Sequence, residues 1–120
     1  MKPVNLREKL DQVLEPWRPK IVSELNGHEV RVVKVKGEFV FHRHDDADEL
    51  FWVIAGRLFI DTPDGSVELG PGELFVVPRD VEHRTRSEDG AEVVTIARAG
   101  ERNTGNVEHE TLTAPSGQRI

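Results

Sequence analysis

Along most of this chain apolar and polar residues alternate, and only the first segment keeps a different rhythm. In NLREKLDQVLE, residues 5–15, Leu6, Leu10, Val13 and Leu14 share a face at helical spacing. Asn5 is placed to cap this short amphipathic helix, Glu8 stands at the capping-box position, and Pro16 and Pro19 end it. The pattern lays the helix across the outside of the main body or against a partner subunit, with Trp17 anchoring that packing rather than lining a site.

From Lys20 the chain reads as strands. KIVSEL and HEVRVVKVKGEF flank Asn26-Gly27, a strong hairpin signal. The alternation in EVRVVKV changes phase between Val32 and Val33, which predicts a bulge or a strand buried on both faces. ELFWVI and GRLFID form the next predicted pair, turning near Ala55-Gly56. Glu49, Phe51 and Val53 share one face of the first; Leu50, Trp52 and Ile54 share the other, which points Trp52 outward. Turns at Thr62-Pro63-Asp64-Gly65 and Gly70-Pro71-Gly72-Glu73 bracket the short strand SVEL, and LFVVP follows, ended by Pro78. VEHRTRS alternates again, with Val81, His83, Thr85 and Ser87 on one face and Glu82, Arg84 and Arg86 on the other. Glu88-Asp89-Gly90 is expected to turn into a last strand, AEVVTIARA. Beyond Gly100 the chain is polar and rich in turn formers. These signals divide it into a helix and linker (1–19), a β body (20–99) and a C-terminal arm (100–120) that lies along the domain or a partner, with a frayed end. Short strands with turn signals every eight to twelve residues predict a sandwich or small barrel.

Composition narrows the possible partners. A chain of 120 residues is expected to be one domain that buries roughly two-thirds of its unfolded surface. A net charge of −6 disfavours nucleic acid and anionic membranes. No run approaches the ~18 apolar residues of a membrane span, and MKPVNLREKL is charged where a signal peptide needs an apolar core. The expectation is a cytoplasmic protein with no membrane partner. There is no cysteine, so any metal must be held by nitrogen and oxygen.

The candidate chemistry sits in GEFVFHRHDDADELFWVIAG, Gly37 to Gly56. On an extended strand His42 and His44 leave the same face, with Cα atoms about 6.6–6.8 Å apart. Their imidazoles can then converge on one ion, whereas on a helix the same two residues would diverge. The acidic loop DDAD returns the chain, so Glu49 can add an oxygen from the next strand. Asp45, Asp46 and Asp48 read as a solvated loop near the mouth of the site. His28 and His109 have no partner at ligand spacing and read as surface residues.

Together with GELFVVPRDVEHRTRS, Gly72 to Ser87, this segment resembles the paired motifs of the cupin superfamily, in the small single-domain, type-2 form often likened to mannose-6-phosphate isomerase. In the first motif His42-x-His44, four residues, Glu49, six residues and Gly56 match, while four residues instead of five separate Gly37 from His42. In the second, Gly72, five residues, Pro78 and His83 match, with Asp80 in place of a glycine and Ser87 in place of an asparagine. The resemblance covers about half the chain. It implies an all-β fold, a double-stranded β-helix or jelly-roll barrel of two antiparallel sheets with a short N-terminal helix. It also implies a metal ligand set of His42, His44, Glu49 and His83, and a homodimer.

Three imidazoles and a carboxylate suit one divalent transition metal ion: iron, manganese, nickel, cobalt or zinc. On an octahedral ion they leave two adjacent positions open. The pocket around it is expected to be lined by Val40, Phe51, Val53, Thr85, Ser87 and either Phe75 with Val77 or Leu74 with Val76. No tyrosine exists in the chain and no lysine or arginine is clearly inward, so the expected ligand is small and largely uncharged rather than a sugar phosphate. The leading functional reading is a metal-dependent oxygenase, isomerase or lyase acting on a small organic molecule, with Glu49 or a metal-bound hydroxide as the available base. The alternatives are a non-catalytic metal or small-ligand binding module and a barrel in which the metal is only structural.

Overall fold

A computed structural model describes residues 2–115 and 117–120; Met1 and Ser116, one in the N-terminal segment and one in the arm, lie outside the described residues. The described elements are α1 (Leu6–Asp11), β1 (Lys20–Leu25), β2 (His28–Glu38), β3 (Glu49–Gly56), β4 (Leu58–Thr62), β5 (Gly65–Leu69), β6 (Leu74–Val77) and β7 (Arg84–Arg98). All strand pairs among them are antiparallel. The strands run in the order β1-β2-β7-β3-β6, with β4 joined to β7 and β5 to β4. This is a jelly-roll barrel, and no helix among the described residues is long and apolar enough to cross a membrane.

The hairpin at Asn26-Gly27 forms as the pattern predicts, with positive φ of 51° and 76° at its two turn residues. Val32 and Val33 are both buried because β2 is covered on both faces. Val32 packs with Leu10 and Val13 of the N-terminal segment and Val94, and Val33 joins the barrel core of Val35, Phe51, Val53, Leu58 and Ile60. The register shifts of β2 fall elsewhere, opposite Ile21–Ser23 and at Val35–Gly37.

Several expectations are corrected. The helix ends at Asp11, well before Pro16, and Leu14 is 88% exposed. Once Val13 is seated on Val32, a helix carried through to Glu15 would still meet the steric bias against α geometry before Pro16. Asn5 does cap it, its side chain accepting from Glu8 N–H at 3.0 Å. β3 and β4 follow each other without pairing: β3 lies between β7 and β6, and β4 between β7 and β5. Gly56 makes the crossing possible with φ of 84°, since a Cβ there would stand 2.3 Å from the Gly90 carbonyl oxygen. Glu88-Asp89-Gly90 is no turn between strands but the bend inside β7. Thr85 and Arg86, before the bend, pair with Ile60 and Phe59 of β4, and the residues after it pair with β2 and β3. One strand therefore serves both layers of the barrel.

The arm is docked rather than frayed. Ile21 N–H donates to Gln118 O at 2.7 Å, and Thr104 is fully buried with its hydroxyl 2.7 Å from that of Thr113. His109 is half-buried, and its Nδ1 accepts from the Leu112 N–H at 3.0 Å, so it closes a turn of the arm instead of standing free on the surface.

Candidate metal centre

His42 and His44 lie in an extended segment between β2 and β3, Glu49 opens β3, and His83 immediately precedes β7. An isolated antiparallel bridge holds the two histidine-bearing segments together: His42 N–H donates to His83 O at 2.9 Å and His83 N–H returns to His42 O at 2.8 Å. Residues forty-one apart in sequence thus become cross-strand neighbours. Asp80 holds a left-handed conformation, φ 65°, at the position where the family pattern has glycine, and its N–H donates to His44 O at 2.9 Å. Asp48 of the acidic loop accepts from Arg79 N–H at 2.9 Å and binds the two motif loops to each other. Asp45 is ion-paired at the surface with Arg43.

The four side chains converge. His42, His44, Glu49 and His83 are all buried, and each offers a ligand atom within 4.8 Å of the others. Ring centroids of His42 and His83 are 4.4 Å apart, and those of His42 and His44 are 5.1 Å apart. Each imidazole is oriented through Nδ1. His42 Nδ1 donates to Val40 O at 2.8 Å and His83 Nδ1 to Val81 O at 2.9 Å, while His44 Nδ1 lies 3.2 Å from Glu101 Oε2 of the arm. A carbonyl oxygen only accepts, so those two Nδ1 atoms carry the hydrogen and leave Nε2 as the lone-pair atom. The three Nε2 atoms are fully buried and make no hydrogen bond among the described residues. Buried polar atoms seldom remain unpaired, and three gathered with one carboxylate within 4.8 Å could bind a metal ion.

The charges respond to this crowding. Burial, then His83, draws His42 down to about 4. Burial works against protonation of His44 too, but the neighbouring Glu49 and Glu101 carboxylates outweigh it and raise its pKa. Burial would likewise raise Glu49, yet His44 and then His83 overcome it and hold the carboxylate below its usual range. Glu49 is therefore an anion set among three imidazole nitrogens, donor types that suit a divalent ion.

Beside the cluster opens a small cavity. Phe51 and Thr85 line it as the alternation implied. Val53, Val77 and Phe75 belong to the packed core instead, and the Ser87 hydroxyl donates to Arg57 O at 2.6 Å. The outward positions of β6 are Leu74 and Val76, both exposed. Val40 is half-buried and offers its carbonyl rather than its side chain; Phe39 takes the inward place, 5.4 Å from the His42 ring. The segment here is no longer a regular strand, so two-residue phasing fails. Trp17, expected only to anchor packing, stacks on Phe39 at 4.6 Å and lines the cavity. Arg31, Thr95 and Asn103 also line it. Arg31 overturns the expectation of a wall without cations: it is 6% exposed and paired with Glu29. The phase of Glu29, Arg31, Val33 and Val35 along β2 carried that information, since all four are buried.

The cupin domain model matches residues 29–97, and the chain belongs to the cupin family. The Bacillus subtilis protein YdbB is 38% identical over 84 residues, covering 69% of this chain and 74% of that one. A cupin-2 domain protein from Shewanella frigidimarina is 35% identical, with a TM-score of 0.78 over 79% of this chain and 93% of its own. A Neisseria meningitidis protein is 33% identical, with a TM-score of 0.74 over 82% of this chain and 100% of its own. A hydroquinone 1,2-dioxygenase from Sphingomonas, crystallised with 4-hydroxybenzoate, shares the fold at 14% identity, with a TM-score of 0.66 over 80% of this chain and 73% of its own.

Proposed function

We propose that this cupin is a metal-dependent enzyme of the oxygenase, isomerase or lyase type, acting on a small organic molecule in the barrel cavity. The observation that carries the reading is the set of three buried Nε2 atoms without hydrogen bonds among the described residues, gathered with an ionised Glu49 beside a cavity. His42, His44, Glu49 and His83 would hold the ion. A bound divalent transition metal supplies Lewis acidity or redox chemistry at the positions these residues leave open. The chain's own part is to exclude water with Trp17, Phe39 and Phe51, and to offer the Thr85 hydroxyl for orienting a ligand. Glu49 would be the available base; its Oε1 lies 3.2 Å from His44 Nε2.

Elemental analysis of untagged protein prepared without chelator, beside His42→Ala, tests this reading. About one equivalent of iron, manganese, nickel or cobalt, lost in the variant, directs substrate screens with that metal. A folded protein that contains no metal and cannot be loaded ends the enzyme reading.

We further infer a homodimer. β6 is the outer strand beside β3, and its exposed Leu74 and Val76 continue the exposed Trp52 of β3 into an apolar strip along an open strand edge. Sedimentation of Val76→Lys against wild type checks it: the variant is expected to be monomeric, and identical sedimentation of both would remove this interface.

A further inference from the structure

Among the described residues Arg31 is the one lysine or arginine lining the cavity, beside His42, Glu49 and Phe51. It is buried together with Glu29, two residues earlier on the same face of β2, and each side chain is 8% exposed. Both Nε, at 3.1 Å, and Nη2 point to a single oxygen, Glu29 Oε1. The pair therefore occupies one edge of the guanidinium, and Nη1 makes no hydrogen bond among the described residues. Stability does not explain this arrangement. A buried ion pair is on balance no better than a well-packed apolar pair of similar volume, and the same face of β2 continues as Val33 and Val35.

The register says what Arg31 faces. Arg31 pairs with Thr95 of β7, and Thr95 pairs on its other side with Phe51 of β3. Arg31, Thr95 and Phe51 thus form one row across the cavity wall, and Thr95 is 6% exposed with a hydroxyl that makes no hydrogen bond among the described residues. Glu49 lies two residues from Phe51 on the same face. Two strand spacings, about 9–10 Å, separate the β2 wall from the β3 wall that carries it. A molecule of a few bonds can reach from one to the other.

We propose that the cavity takes a small organic monocarboxylate, its anionic end held by Arg31 and Thr95, its apolar body against Val33 and Phe51, and its other end facing the histidine cluster. A planar guanidinium with a free N–H is suited to carboxylate. Glu29 already offsets most of the Arg31 charge, so a dianion such as phosphate would meet Glu29 and Glu49 with too little cation to balance it. The proposal deepens the metal-enzyme reading and rests on it for the ion, but the part given to Arg31 needs no metal.

Benzoate and its uncharged analogue benzyl alcohol are suitable probes, titrated by NMR or calorimetry into wild type and into Glu29→Gln/Arg31→Gln. Both charges are removed in that variant, so no unpaired ion is left buried. Each protein is measured with its native metal content, determined on the same sample, and again after chelation. Wild type is expected to prefer benzoate by about tenfold or more, and the double variant to lose that preference while keeping its metal content and its melting temperature within a few degrees. Persistence of the preference in chelated wild type supports Arg31 as the anchor even if the metal reading fails. Equal affinities in wild type, no binding of benzoate, or a preference that survives in the double variant overturns the proposal. A preference that survives there but vanishes on chelation assigns the carboxylate to the metal instead. If the double variant fails to fold, Arg31→Lys alone takes its place. It keeps the cation and its Glu29 partner without the planar fork, and an undiminished preference for benzoate overturns the role of the guanidinium geometry.

Discussion

The short stretch from His83 to Ser87 has two faces that bear comparable polar groups in opposite states. On the outer face Arg84 and Arg86 converge on Asp61, with Nε to Oδ2 distances of 2.9 and 2.8 Å, and Ser66 satisfies Oδ1 at 2.5 Å. Arg86 also lies over the Phe59 ring at 4.4 Å. Each charge there has a partner. On the inner face His83 is fully buried and its Nε2 has none among the described residues. A closed network is the mark of a structural device, because every desolvated group is compensated within the chain. An open one stores an unmet need for a ligand. The two faces lie a residue apart, and the difference separates what holds the barrel from what the barrel holds.

The widest separation is expected from deleting one member of each set. His83→Ala should lower metal affinity by more than about a hundredfold, since even a supporting partner of a ligand is typically worth about 10–100-fold, while the fold survives. Metal content by elemental analysis and unfolding by circular dichroism check both halves; retained metal would dissolve the comparison.

Acid should act on the inner face of the metal-free protein. His42 titrates near 6.5 in an unfolded chain but at about 4 when folded, burial being the main cause and His83 the second. As pH falls through that window the unfolded chain binds a proton that the folded one refuses, so stability falls with pH. His44, whose folded pKa is raised, acts in the opposite sense: its contribution is present below the unfolded pKa and is lost as pH rises through the folded one. Between about pH 7.5 and about pH 4.5, His42→Gln should therefore reduce the acid loss by roughly 2–3 kcal/mol, and His44→Gln should enlarge it. Denaturant melts of chelated protein at both pH values measure this; an unchanged loss in His42→Gln would contradict it.

On the outer face, Asp61→Asn should cost about 1–2 kcal/mol in stability and leave metal affinity where it was. A thermal melt and a metal titration on the same preparation read both. A loss of metal would mean that the faces are coupled through β7.

The smallest effect expected is that of Glu101→Gln, about tenfold in metal affinity, through looser orientation of His44. A competition titration with a chelator of known affinity measures it. No change would reduce the arm to a cover over the site.

Much was legible before any coordinates. The alternation in ELFWVI and VEHRTRS placed Glu49, Phe51, His83 and Thr85 inward, and the motif spacings pointed to the cupin barrel. The residues that escaped did so for physical reasons. Val40 and Phe39 sit where the strand loses its regular pleat, so the two-residue phase no longer tells inside from outside. Arg31 escaped because a buried arginine needs a partner, and the partner, Glu29, lies two residues away on the same face of β2. Glu101, Trp17 and Asn103 reach the site from segments outside the barrel strands, where no periodicity marks them.

By itself the sequence determined the faces of ELFWVI and VEHRTRS and the hairpin at Asn26-Gly27, because these follow from local backbone geometry and a spacing of two, and the resemblance of its motifs to the cupin pattern supplied the four converging side chains. Only the tertiary structure decided that β7 bends at Gly90 to serve both layers, that β3 and β4 part company, that Arg31 faces the cavity and that the arm brings Glu101 to His44. These depend on which distant segments meet, a choice made by the joint burial of many side chains and by hydrogen bonds that close only when the barrel does.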